Sequence, residues 1–139
     1  MRALGLDLGS KRIGVAVSDR SGTIATPLTV VHRSKSRRVD HHRLAELVVA
    51  EEAELVVVGL PLGLDGTIGR AAQSALAEAK ALATVVGVPV ETIDERFTTV
   101  TAERVLMEGG LRAEERRRVV DKVAAAVILQ HWLDGRRPA

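Results

Sequence analysis

LGLDLGSKRIGVAVSD, residues 4–19, sets an acid, Asp7, among leucines where a buried strand is normally apolar. Residues 3–9 alternate small or acidic positions (Ala3, Gly5, Asp7, Gly9) with leucines (Leu4, Leu6, Leu8), and residues 13–19 alternate likewise. This is the period-two pattern of strands with two distinct faces. With residues 9–12 as a four-residue hairpin loop, Leu8 faces Ile13, Leu6 faces Val15 and Leu4 faces Val17, building one apolar face. The other face then pairs Asp7 with Gly14, Gly5 with Ala16 and Ala3 with Ser18. Side chains are nearly absent around the carboxylate there. That face is expected to be an open slot admitting something bulky to Asp7.

After a turn at 19–22, TIATPLTVVH (23–32) reads as a third strand, with Pro27 placing it at an edge or a bulge. SKSRR (34–38) reads as a mobile loop. Leu44, Leu47 and Val48 give helical spacing through residues 40–53, and ELVVVGLP (54–61) is the continuous apolar run of a strand buried on both faces. A glycine-rich loop at 59–69 precedes an alanine-rich helix ending near Gly87, and PVETIDE (89–95) is a fifth strand. Residues 98–110 read as a short helix stopped by Gly109 and Gly110, and residues 113–133 as a long final helix. Three hairpin-linked strands followed by helix, strand, helix, strand and two helices predict an α/β fold. An antiparallel meander is extended by two parallel strands through crossover helices, with helices on both faces. There is no repeat or linker, so residues 1–139 are expected to form one domain.

Composition narrows the function. Phe97 and Trp132 are the only aromatics, which leaves almost nothing for base-stacking platforms. The absence of cysteine excludes disulfides, thiolate catalysis and Cys-ligated zinc. No apolar run is long enough to span a bilayer and no leader pattern is present, so a cytoplasmic protein without a membrane partner is expected. The net charge is only +2, but basic residues cluster at 32–38, 112–118 and 136–137. Most are arginines, which suit bidentate phosphate contacts as well as a solvated surface.

Three acids occupy positions where a core prefers apolar residues: Asp7 mid-strand, Glu95 at the end of the fifth strand, and Asp121 in the final helix. In that helix Val120, Val123, Ala124, Val127 and Ile128 form an apolar stripe, with Asp121 and Ala125 on its shoulder. The alanines at 124–126 let the helix approach the sheet and bring Asp121 toward the strand ends. Converging carboxylates repel one another and are tolerated mainly with a cation between them, and an all-oxygen site suits Mg²⁺ or Mn²⁺. Two such ions can activate a water and stabilise the leaving oxygen in phosphodiester hydrolysis. Lys11, Arg12 and Arg96 would then hold phosphates.

Plainer roles exist for each residue. Asp7 can accept hydrogen bonds from the glycine-rich loop. Glu95 can pair with Arg96 or Lys122, Asp121 with Arg117 one helical turn away, and Asp94 can take the place of Glu95. Asp65 with Gly66 suits a turn, Thr98 with Thr99 a helix cap, and the four histidines show no metal-ligand spacing.

Taken together, residues 5–19, 57–69, DERFTTVTAE (94–103) and DKVAAAVILQ (121–130) resemble the YqgF family, also called RuvX, of Holliday junction resolvases and pre-16S rRNA nucleases. The resemblance covers nearly the whole chain in order. It implies a ribonuclease H-like fold with sheet order 3-2-1-4-5 and a Mg²⁺- or Mn²⁺-dependent nuclease in which Asp7, Glu95 and Asp121 are the metal-binding, catalytic acids. Water would be the nucleophile, leaving a 5′-phosphate and a 3′-hydroxyl. The implied substrates are an RNA precursor of the ribosome, placed first, and branched DNA, placed second; the protein is expected to be a monomer or a weak homodimer. Many nucleases of the wider superfamily carry a fourth acid near the last one, whereas Arg118 and Ala124 stand three residues either side of Asp121. This departure argues against tight binding of a second metal. Residues 7–19 also resemble the first phosphate loop of actin-like ATPases and sugar kinases, but 139 residues do not supply the second lobe such proteins need. A third expectation, of another class, is an RNA-binding ribosome assembly factor without catalysis.

Overall fold

The computed structural model describes residues 1–61, 67–95 and 113–136, with side chains in the last segment described from 121 onward. Asp65, Gly66, Arg96, Thr98, Thr99 and the expected helix at 98–110 lie outside the described residues, as do the side chains of the basic cluster at 112–118. The elements are β1 (Ala3–Leu8), β2 (Arg12–Ser18), β3 (Ala25–His32), α1 (Arg37–Ala50), β4 (Leu55–Leu60), α2 (Arg70–Ala83), β5 (Val90–Asp94) and α3 (Ala113–Arg136). They build one five-stranded sheet of order β3-β2-β1-β4-β5.

The alternation of the opening stretch sets the register. Leu4 pairs with Val17, Gly5 with Ala16, Leu6 with Val15, Asp7 with Gly14 and Leu8 with Ile13. β4 joins β1 in parallel and β5 joins β4 in parallel, so the ends of β1, β4 and β5 point the same way. Pro27 sits on edge strand β3 opposite Ala16, where the register shifts, so the missing N–H interrupts no interior ladder. Among the described residues no helix is long and apolar enough to cross a membrane.

Each sheet face has its own core. Leu4, Leu6, Ile13, Val15, Val56 and Val58 pack beneath Leu44 and Val48 of α1 and Ala79 and Leu82 of α2. On the opposite face Ala3, Ala16, Leu55 and Val57 pack beneath Ala125, Ile128, Leu129, Trp132 and Leu133 of α3. Fully burying each large side chain contributes roughly 1.5–3 kcal/mol, so both layers hold the sheet.

Three expectations change. The slot beside Asp7 is filled by α3. A Cβ on Gly5 would stand 2.6 Å from Cβ of Leu129, and one on Gly14 would stand 1.9 Å from the carbonyl oxygen of Asp121. The small residues therefore admit the helix backbone rather than a nucleic-acid backbone. The buried stripe of α3 is also rotated. Ala125 is fully buried at its centre while Val123 and Val127 are only partly covered, because alanine above glycine gives the closest approach. Finally, α1 begins at Arg37, with Ser36 capping it by accepting a hydrogen bond from the N–H of Val39, so helix extends into the stretch expected to be a mobile loop.

Candidate active site

Strand alternation decides which acids share a face. Asp7 lies on the α3 side of β1 with Gly5 and is 9% exposed. Ile93 packs into the α3-side core and Val90 against the opposite one, so Glu95, two residues beyond Ile93, belongs on the side of Asp7, and Asp94 on the other. The N–H of Glu95 donates to the carbonyl of Leu60, continuing the β4–β5 ladder past the strand end.

Asp7 stands between two glycines. Gly14 is its partner on β2, and Gly59 follows Val58, the β4 partner of Leu6. The room above Gly14 is taken by the backbone of Asp121. The room above Gly59 is taken by Glu95, whose Oε2 would lie 2.6 Å from a Cβ there and is buried. Adjacent strands are about 4.8 Å apart, so Asp7 and Glu95 lie toward one end of the sheet face that the backbone of Asp121 covers at Gly14.

They do not form a closed cage. Among the described residues no three Asp, Glu or His side chains are grouped so as to hold a metal ion. Oδ2 of Asp121 accepts a 2.8 Å hydrogen bond from Nε of Arg12. Arg12 opens β2 and shares the face of Gly14, so alternation aims it at Asp121. The expected hairpin loop is accordingly shorter, closed by the N–H of Gly9 donating to the carbonyl of Arg12, and Lys11 within it is exposed. Asp121 is thus engaged by Arg12 in this structure.

A second polar cluster escaped the sequence reading. Glu78 of α2 is 2% exposed, with both oxygens taken by Arg33 at 2.9 and 2.8 Å. Nε2 of His41 lies 2.8 Å from its Oε2, and Nε of Arg37 at 3.7 Å. Burial pushes the Glu78 carboxyl up, but the hydrogen bonds from Arg33 and His41 and the charges of Arg33 and Arg37 outweigh it and hold the group below its ordinary value. The available signal was an acid three residues after Ala75, on the stripe of Ala72, Ala75, Ala79 and Leu82.

Glu78→Gln leaves Arg33 with an uncompensated charge and is expected to lower stability at pH 7 by about 2 kcal/mol in urea unfolding. A lowered carboxyl stabilises above the ordinary carboxylate range, and that contribution fades as pH falls through the folded value. The parent should therefore lose stability on acidification below about pH 4, and the variant should lose less over the same interval. Equal losses in both would show that Glu78 is not the linked group.

The family profile described as "RuvX: Holliday junction resolvase" matches residues 1–135. A protein of Mycobacterium sp. (strain KMS) named "Putative pre-16S rRNA nuclease" is 51% identical over 139 residues, covering 99% of this chain and 82% of that protein. One of the same name from Mycobacterium leprae (strain TN) is also 51% identical over 139 residues, covering 99% and 75%. Among solved structures, "T. thermophilus RuvC in complex with Holliday junction substrate" matches with a TM-score of 0.60 and 21% identity, covering 98% of this chain and 96% of that one. That likeness is one of fold, the ribonuclease H-like arrangement of sheet and helices.

Proposed function

The chain belongs to the RuvX family and is a nuclease, and from that premise we propose a divalent-metal-dependent phosphodiester hydrolase that trims the 5′ end of pre-16S ribosomal RNA in the cytoplasm. The observation that supports the reading is the placement of Asp7 and Glu95 toward one end of one sheet face, with the backbone of Asp121 seated over Gly14 and Glu95 beside Gly59. In it the whole chain acts as one nuclease domain, a monomer or weak homodimer. Asp7, Glu95 and Asp121 would be the residues that hold Mg²⁺ or Mn²⁺. A bound divalent ion supplies charge against the developing oxyanion and acidifies water for the attack. Arg12 exchanges the carboxylate of Asp121 for a substrate phosphate, while Lys11 and Arg96 steady the strand on either side.

The rRNA substrate rests on the names of relatives that are 51% identical over 139 residues. A second reading, resolution of four-way DNA junctions, is favoured by the description of the matching family; symmetric cutting would require a dimer. The test is incubation with Mn²⁺ and labelled RNA bearing a ribosomal-precursor 5′ extension, beside a four-way DNA junction. Cleavage of the RNA alone is the expected result. Cleavage of the junction alone would transfer the assignment to DNA, and binding of RNA without cutting of either would support the assembly-factor alternative.

A further inference from the structure

On the other side of the sheet end from the three acids, a cavity of about 480 Å³ opens between the β1–β2 turn, the 33–37 segment and α2. Its volume is within the usual range of small-ligand pockets. Its wall carries Arg33, Lys35 and Arg37 with the hydroxyl-bearing Ser10 and Ser74. Asp40 and Glu78 also line it, but both carboxylates are engaged from within the protein. Oδ1 of Asp40 accepts from the N–H of Ser34 at 2.8 Å, and Glu78 is held by Arg33 and His41. Arg33 is thereby fixed, and its Nε donates to the carbonyl of Gly9 at 2.6 Å, tying the segment to the turn that follows Asp7. Lys35 is exposed and has no ion pair among the described residues, while Arg37 is 55% exposed and makes only the 3.7 Å contact. Lys35 and Arg37 thus face a cavity whose five charged side chains sum to +1.

The position of the cavity identifies its ligand. Leu8, in its wall, is the residue after Asp7 and points to the opposite face, so cavity and acids flank the same strand end. A chain crossing that end meets both. We infer that this cavity holds a phosphate group of the nucleic-acid strand a few nucleotides from the scissile bond, with Lys35 and Arg37 as its charged contacts. The inference rests on the nuclease reading for the identity of the strand. The phosphate is either an internal diester or the terminal 5′-monoester, chemistries that share the same basic contacts.

The experiment is fluorescence anisotropy with short single-stranded RNA in EDTA, across a salt series, using the full chain. Lys35→Ala/Arg37→Ala is expected to weaken binding about tenfold and to reduce the salt slope by roughly two. Lys35→Glu, at an exposed position, should weaken it as well, guarding against a fold defect in the double variant. Arg20→Ala/Lys80→Ala removes the same charge elsewhere and should leave affinity unchanged. A greater loss with 5′-phosphorylated than with 5′-hydroxyl RNA assigns the terminal group, and an equal loss assigns an internal one. Parental affinity and slope in the Lys35 and Arg37 variants, or an equal loss in the control pair, overturn the inference. Binding is read in EDTA and cleavage separately in Mn²⁺, so binding loss in the variants without any cleavage by the parent in Mn²⁺ would sink the nuclease reading and leave the cavity assigned. Cleavage with parental binding by the variants would do the reverse.

Discussion

Gly14→Ala is expected to lower stability by at least about 3 kcal/mol, the upper range for overpacking a core. The new Cβ would lie 1.9 Å from the carbonyl oxygen of Asp121 and 2.5 Å from its carbonyl carbon. Both are backbone atoms of a helix, so no rotamer change relieves the clash and α3 must retreat as a body. That retreat loosens Ala125 and Leu129 over Gly5 and carries Asp121 away from Asp7. The comparison is Gly135→Ala, in the same helix, where nothing lies within 4 Å and stability should hold or rise by up to about 1 kcal/mol. Urea midpoints of the two variants provide the measurement. A Gly14→Ala protein with the parental midpoint would refute the direct seating of the helix backbone on the strand.

Asp7→Asn should reduce metal-dependent cleavage by about 10³-fold or more, on the scale of removing one member of a cooperating catalytic set. The amide occupies the same space between Gly14 and Gly59 but carries no charge for a cation. The isosteric amide is expected to leave the fold intact, as read by urea unfolding. RNA affinity in EDTA should also be retained. Loss of cleavage with folding and binding intact isolates the metal-binding role. Cleavage at the parental rate would remove Asp7 from the site altogether.

The hairpin register was legible because leucine and small residues alternate without a break from Ala3 to Gly9 and resume at Ile13. The candidacy of Asp7, Glu95 and Asp121 was legible for a related reason: acids in apolar periodic segments stand out. The purpose of the glycines was not. An empty face looks the same in sequence whether a ligand or a helix is to fill it, and only the docking of α3 decides. Arg12 was assigned to phosphate rather than to Asp121 because their ion pair spans 109 positions, beyond any local pattern. Glu78 was overlooked because an alanine-rich helix has a faint apolar stripe, so an acid on it does not announce burial. Asp94 and Glu95 were separated only by the packing of Ile93.

The contact between Arg12 and Asp121 has a temporal side. As the chain is synthesised, β1 and β2 emerge early and can pair at once, but the helix that covers their glycine-bearing face comes last. Until then the acid on β1 has no third carboxylate beside it and half of the hydrophobic interior is open to water. Closure waits on contacts of very long sequence separation, the slow kind in folding. The glycine-bearing face of a nascent chain therefore stays uncovered until residues 113–136 have been made and docked.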